Sequence, residues 1–137
     1  MTRRVLLATL AAPLFAGSQE VLDTLTAIAS ALSAGNAIAF LKPFDRGMPE
    51  FEYFSSNVIA LVDQAEIVCS IEILTDSGDD ENRSVKLDWL LQLKPNAPNA
   101  RMERRRQIVT VELRKRGGKW KIVAFDPMSI LTPMKLA

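Results

Sequence analysis

The run Ser84-Val85-Lys86-Leu87-Asp88-Trp89-Leu90-Leu91-Gln92-Leu93-Lys94 decides the fold. Val85, Leu87, Trp89, Leu91 and Leu93 take one side, and Lys86, Asp88, Gln92 and Lys94 the other. A two-residue period sends successive side chains to opposite faces of a strand, so this segment has one face for a core and one for water. Upstream, Glu66 to Thr75 repeats the pattern, with Ile67, Cys69, Ile71 and Ile73 opposed to Glu66, Ser70 and Glu72. The polar stretch Asp76–Asn82 between them reads as a hairpin tip. Downstream, the loop Pro95–Asn99 leads to a third strand, Met102 to Lys115, with Val109, Val111 and Leu113 on its apolar side. The turn Arg116-Gly117-Gly118-Lys119 then leads to a fourth strand, Trp120 to Phe125, which Asp126-Pro127 ends. The tail from Met128 shows no period.

Ahead of Gln64 the period becomes helical. Val21, Leu22, Leu25, Ile28, Ala29 and Leu32 form one stripe over Glu20 to Ala34, which Gly35-Asn36 stops. Asn36 can cap a short helix, Ala37 to Leu41, that Lys42-Pro43 ends. After the turn-rich connector Phe44–Pro49, the residues Phe51, Phe54, Val58, Leu61 and Val62 share a face of a helix over Glu50 to Gln64, and Pro49 suits its first turn. Helices followed by hairpin-linked strands indicate an α+β domain, with N-terminal helices packed in the concave face of a curved four-stranded antiparallel sheet.

The first eighteen residues stand apart. Met1–Arg4 is basic, Val5 to Ala16 is apolar, and Ala16-Gly17-Ser18 supplies small residues before Gln19. That layout reads as a cleavable export signal, too short to span a bilayer; the outer alternative is a cytosolic protein with an amphipathic N-terminal helix, against which residues 5–16 show no polar face. The adjacent Arg3 and Arg4 fit a twin-arginine signal or an ordinary secretory one. The expected organisation is a signal over 1–18 and one domain over 19–137, periplasmic or secreted, with no stable membrane insertion after cleavage.

Composition excludes several function classes. The chain has 137 residues, 17 basic and 16 acidic, with one cysteine and no histidine. Loss of Arg3 and Arg4 leaves 15 basic residues against 16 acidic, a net charge near −1. A near-neutral domain lacks the basic surface a phosphate backbone needs, so no nucleic-acid partner is expected. Without histidine there is no Ser-His-Asp or Cys-His triad and no His-ligated metal. No metal or cofactor is expected. The spacing of the acidic tip, Asp76–Glu81, does not match a calcium loop. Cys69, set between Ile67 and Ile71, reads as a buried inert thiol.

The element order and the run Gly117-Gly118-Lys119-Trp120-Lys121-Ile122 resemble the nuclear-transport-factor-two-like, or ketosteroid-isomerase-like, superfamily of cone folds. The connector Met48-Pro49-Glu50 is similar to small exported members. The resemblance implies a conical half-barrel with a pocket between helices and sheet, and a homodimer formed through the outer sheet face. It implies no particular reaction, because the fold hosts enzymes, adaptors and binding modules alike. Its isomerases use a carboxylate to move a proton and a first-helix Tyr in an apolar cavity. The single Tyr here, Tyr53, falls on the third helix.

The site candidates follow. Phe51, Phe54, Trp89, Val111 and Trp120 would line an apolar ligand pocket. Asp88 and Tyr53 are the catalytic candidates; Asp88 would qualify only if it faced inward, where burial raises a carboxylate pKa. Alternation points it outward. The run Arg101–Arg106 reads as a solvated or dimer-facing ladder opposite Glu66, Glu72 and Asp88. The functional expectation is an exported non-catalytic domain binding a small apolar ligand or a protein partner. The alternative is a small isomerase or lyase acting on a hydrophobic substrate through a buried carboxylate.

Overall fold

The computed structural model describes residues 18–135. The expected export signal, all but its last residue, lies outside them. Three helices come first: α1 (Ser18–Ser33), α2 (Ala37–Leu41) and α3 (Phe51–Gln64). Four strands follow: β1 (Ala65–Gly78), β2 (Asn82–Pro95), β3 (Glu103–Arg116) and β4 (Lys119–Asp126). A 3₁₀ turn, Met128–Leu131, closes the chain of elements. The strands pair only with their neighbours in sequence, in the order β1-β2-β3-β4, all antiparallel. This is the α+β architecture expected from the change of period at Gln64.

The helix ends follow from local chemistry. Gly35 takes φ 71°, a left-handed value that glycine adopts without strain, and ends α1. The Asn36 N–H then bonds the Ala31 carbonyl at 2.9 Å and the Gly35 N–H the Leu32 carbonyl at 3.1 Å, which satisfies carbonyls that α1 leaves open. The Asn36 side chain accepts the Ala39 N–H at 2.9 Å, the cap expected for α2. At α3 the outcome differs. Pro49 lies in the preceding turn, outside the helix, and the cap residue is Glu50 at φ 61°. The Phe51 N–H bonds the Met48 carbonyl, so the connector turns sharply before the helix begins. Met48 is thereby buried against the core.

Two bulges reset the alternation. Register shifts by one residue between Ile73 and Thr75, and again where Leu113 pairs with Ile122 and Glu112 with Ala124. Each extra residue bends its strand, as the curl around the helices requires. The first shift puts Asp76 opposite Val85, an inward position. There it meets Arg83, itself inward on β2 and almost fully buried, through two hydrogen bonds of 3.0 and 2.6 Å. The second shift turns Phe125 inward beside Val111.

The sheet edges are both attended. The connector crosses β4, where the Asp45 N–H bonds the Ile122 carbonyl at 2.8 Å and the Ile122 N–H the Pro43 carbonyl at 2.9 Å. At the other edge, the Ser33 hydroxyl of α1 accepts the Cys69 N–H at 2.9 Å. Such partners blunt edges that would otherwise recruit another strand.

Candidate functional site

A cone of this kind offers three places for chemistry: its interior, its outer sheet face and the clefts at its rim. Among the described residues, aromatic side chains pack the interior. Trp89, Phe54 and Val111 are buried in the core with Phe40, Phe44 and Phe125. Phe54 and Phe125 have ring centroids 5.1 Å apart, Phe44 and Phe54 5.1 Å, and Phe40 and Phe44 5.2 Å. Trp89 meets Phe125 edge-on at 5.3 Å and 82°. These are ordinary packing distances for aromatic pairs. Among the described residues, the five expected pocket residues are spread between the core and two clefts. Phe54, Trp89 and Val111 pack into the core, Phe51 borders a cleft beside α2, and Trp120 borders a different cleft beside α1. The residues that occupy the cone, Phe40, Phe44 and Phe125, lie at positions where the sequence reading sought no site.

Among the described residues, two indole groups stand out inside this packing. Trp89 Nε1 and Trp120 Nε1 are buried and have no hydrogen-bond acceptor. A buried N–H without an acceptor costs about 1–3 kcal/mol, so both rings sit where apolar packing outweighs a polar loss.

The catalytic candidates face away from this interior. Asp88 stands on the outer face of β2, opposite Ile108, and accepts two hydrogen bonds from Arg106 at 3.0 and 2.6 Å. That contact, with the charge of Asp88, holds the Arg106 guanidinium above its ordinary pKa. Tyr53 is 56% exposed on α3. Asp45 accepts from the Gly47 N–H at 2.8 Å and pairs with Arg116 at 2.8 Å, while Glu112 is exposed. In the acidic tip, Asp79 accepts the N–H groups of Glu81 and Asn82, which lower its pKa and shape the turn. Among the described residues no cluster of His, Cys, Asp and Glu suits a metal ion.

The outer face carries an apolar stripe. Val68 of β1 and Ile108 of β3 are 60% and 52% exposed, and half-buried Leu90 of β2 lies between them. Glu72, Asp88 and Arg106 form a charged group beside the stripe, with Glu72 directly across from Asp88. Among the described residues no helix is long and apolar enough to cross a membrane.

Cys69 is the free thiol, on the inner side of β1. Burial pushes its pKa up to about 12 from 9.0. The thiolate is the reactive form, so at pH 8 the folded protein holds roughly a thousandfold less of it than an unperturbed thiol. Alkylation by iodoacetamide should therefore be slow in the native state and fast in urea. The raised value also means that the native state keeps the thiol proton while the unfolded chain loses it. This contribution to stability is intact below pH 9 and falls as pH rises from about 9 to about 12. Equal alkylation rates in the two states would contradict the burial.

No family model and no curated protein matches the sequence. Solved structures do match. A protein of Novosphingobium aromaticivorans provisionally named a scytalone dehydratase aligns with 91% of this chain and 85% of its own, at TM-score 0.68 and 11% identity. A second protein of that organism, provisionally named an aromatic ring hydroxylase, aligns with 77% of this chain and 82% of its own, at TM-score 0.61 and 14% identity. A protein of unknown function from Nostoc punctiforme, with a cystatin-like fold, aligns with 80% of this chain and 90% of its own, at TM-score 0.55 and 15% identity. At these identities the likeness is one of fold. Helices held in the hollow of a curled four-stranded antiparallel sheet, matched along most of their length, give this chain the nuclear-transport-factor-two-like cone fold.

Proposed function

We propose that this is an exported, non-catalytic binding domain that acts through the outer face of its sheet, by pairing with a second copy of itself. One observation carries the choice between ligand and protein partner. The cone interior is packed with aromatic side chains, while Val68 and Ile108 are exposed on the opposite face on either side of half-buried Leu90. An uncovered apolar stripe beside charges is the composition of an association surface. Strands of 14 residues run roughly 46 Å at about 3.3 Å per residue. Three of them side by side, about 4.8 Å apart, present roughly 650 Å², near the roughly 800 Å² per partner of a standard interface.

The isomerase or lyase reading needs an inward carboxylate in an open apolar cavity. Asp88, the residue it relies on, faces outward in an ion pair. Two relatives in fold carry enzyme names, and that likeness extends to the fold alone.

Light scattering of the mature chain should return twice the single-chain mass. Ile108→Asp should weaken dimerisation by roughly a hundredfold or more, with the helical and strand content retained, because it buries a further carboxylate beside Asp88 and Glu72 at the contact. A wild-type monomer at about 100 μM, tens of times above the working range of a stable dimer, would overturn the association reading. Export has its own readout: the protein recovered from the periplasm or medium should begin at Gln19. An intact Met1 there would refute cleavage.

A further inference from the structure

An open cleft of about 420 Å³ lies between α1, α2 and the β3–β4 hairpin. It opens at the β4 edge of the sheet, so residues from both faces of that strand border it. Its floor is apolar, with Ile28 of α1 and Trp120 of β4 both buried, and Ala27 and Ala39 on its walls. Its rim is cationic: Lys42 follows α2, and Lys119 and Lys121 belong to β4. Among the described residues none of these three ammonium groups is in an ion pair; Lys121 reaches only the Lys42 carbonyl, at 3.4 Å. Among the described residues, Glu20 is the one acid bordering the cleft. A fourth cation, Lys115, stands 5.7 Å over the Trp120 ring.

The hairpin makes this arrangement. Gly117 and Gly118 take φ 58° and 81°, the left-handed pair a two-residue turn of this kind demands. The tight turn brings Lys119 back beside Arg116 and Trp120 beside Lys115. The connector bonded to Ile122 then carries Lys42 to the same rim.

We propose that the cleft binds a small organic anion with an apolar body and a single carboxylate head. The volume lies within the range of small-molecule sites, roughly 300–1,000 Å³. An apolar floor takes up the body of the ligand, and the unpaired ammonium groups receive the head. Lysine acts as a point charge with freely turning donors, so it suits a lone carboxylate without imposing the two-pronged geometry that arginine does. The chain as a whole is nearly neutral, which makes the local excess of three cations over one acid a property of this cleft.

The test uses octanoate as the probe against the full-length mature chain, with titration calorimetry for affinity and amide NMR shifts for location. Octanoate should bind saturably, with Kd on the order of 1 mM or below and shifts centred on Ala27, Lys42 and Trp120. Octanol, which keeps the body and lacks the charge, should bind at least tenfold more weakly. The double variant Lys42→Glu, Lys119→Glu should lose tenfold or more, and Ala27→Phe should abolish binding by filling the cleft while leaving every charge in place. These substitutions sit at exposed positions, so circular dichroism should show the fold unchanged. Non-saturable binding, shifts centred elsewhere, equal affinity for octanol, or full affinity in either variant would each overturn the proposal.

Discussion

Trp89→Ala should cost about 3–5 kcal/mol of folding stability, whereas Trp89→Phe should stay within about 1.5 kcal/mol of the wild type. Trp89 is fully buried in the middle of β2 and meets Phe125 edge-on. Truncation to alanine leaves a void whose lining, Phe125, the cross-strand partner Ile71 and the strand neighbours Leu87 and Leu91, is anchored in the sheet and cannot collapse into it. Phenylalanine leaves a smaller void, and it removes the indole N–H that has no acceptor. The second effect, about 1–3 kcal/mol, offsets most of the first. Urea unfolding reads both variants, with an unchanged slope showing that the midpoint reports stability alone. Should Trp89→Phe prove as damaging as Trp89→Ala, the indole nitrogen has an acceptor in solution, and the interior holds a polar group or ligand after all.

This prediction separates core from pocket, a distinction the sequence pattern blurs. Alternation along Val85 to Leu93 correctly assigned Trp89 to the inner face, and three- to four-residue spacing correctly assigned Phe54 to the same layer. Periodicity says which face a side chain takes and nothing about whether space remains in front of it. Filling depends on Phe40, Phe44 and Phe125, which come from a five-residue helix, a connector and the end of the last strand. Phe44 belongs to no periodic run. Phe125 faces inward only because β4 carries an extra residue after Ile122, and no composition signal marks that residue. The same holds at Leu74, whose bulge brings Asp76 round to Arg83. A single inserted residue exchanges the faces of everything beyond it, so the far ends of β1 and β4 were beyond alternation. Pro49 shows a further limit. Its ring suits a first helical turn, yet the bend that buries Met48 uses the left-handed Glu50 as the cap and leaves the proline outside.

The basic run on β3 illustrates how burial divides neighbours, and it yields the second large effect. Arg105→Ala should cost about 2–4 kcal/mol, while Arg106→Ala should change monomer stability little. Arg106 points outward and is 65% exposed in its pair with Asp88. Arg105 points inward at 13% exposure. Its Nη1 donates to the Ile130 carbonyl at 2.9 Å and to the Thr132 carbonyl at 2.6 Å, and its Nε donates to Glu103 at 2.6 Å. These charge-assisted bonds tie the C-terminal segment across the end of the cone, where Ile130, Leu131 and Met134 are buried. Gln64 holds the same segment from α3, accepting the Met134 N–H at 2.7 Å and donating to its carbonyl at 3.2 Å. A segment without period is therefore fixed by side chains that come from elsewhere in the chain. Arg105→Lys should recover half of the loss or less, since one ammonium cannot serve two carbonyls and a carboxylate with the planar geometry of a guanidinium. Native-state hydrogen exchange should show amides of residues 129–134 opening first in Arg105→Ala, ahead of β2. If those amides keep their protection and the unfolding midpoint does not move, the clamp contributes nothing, and Gln64 with apolar burial alone secures the tail.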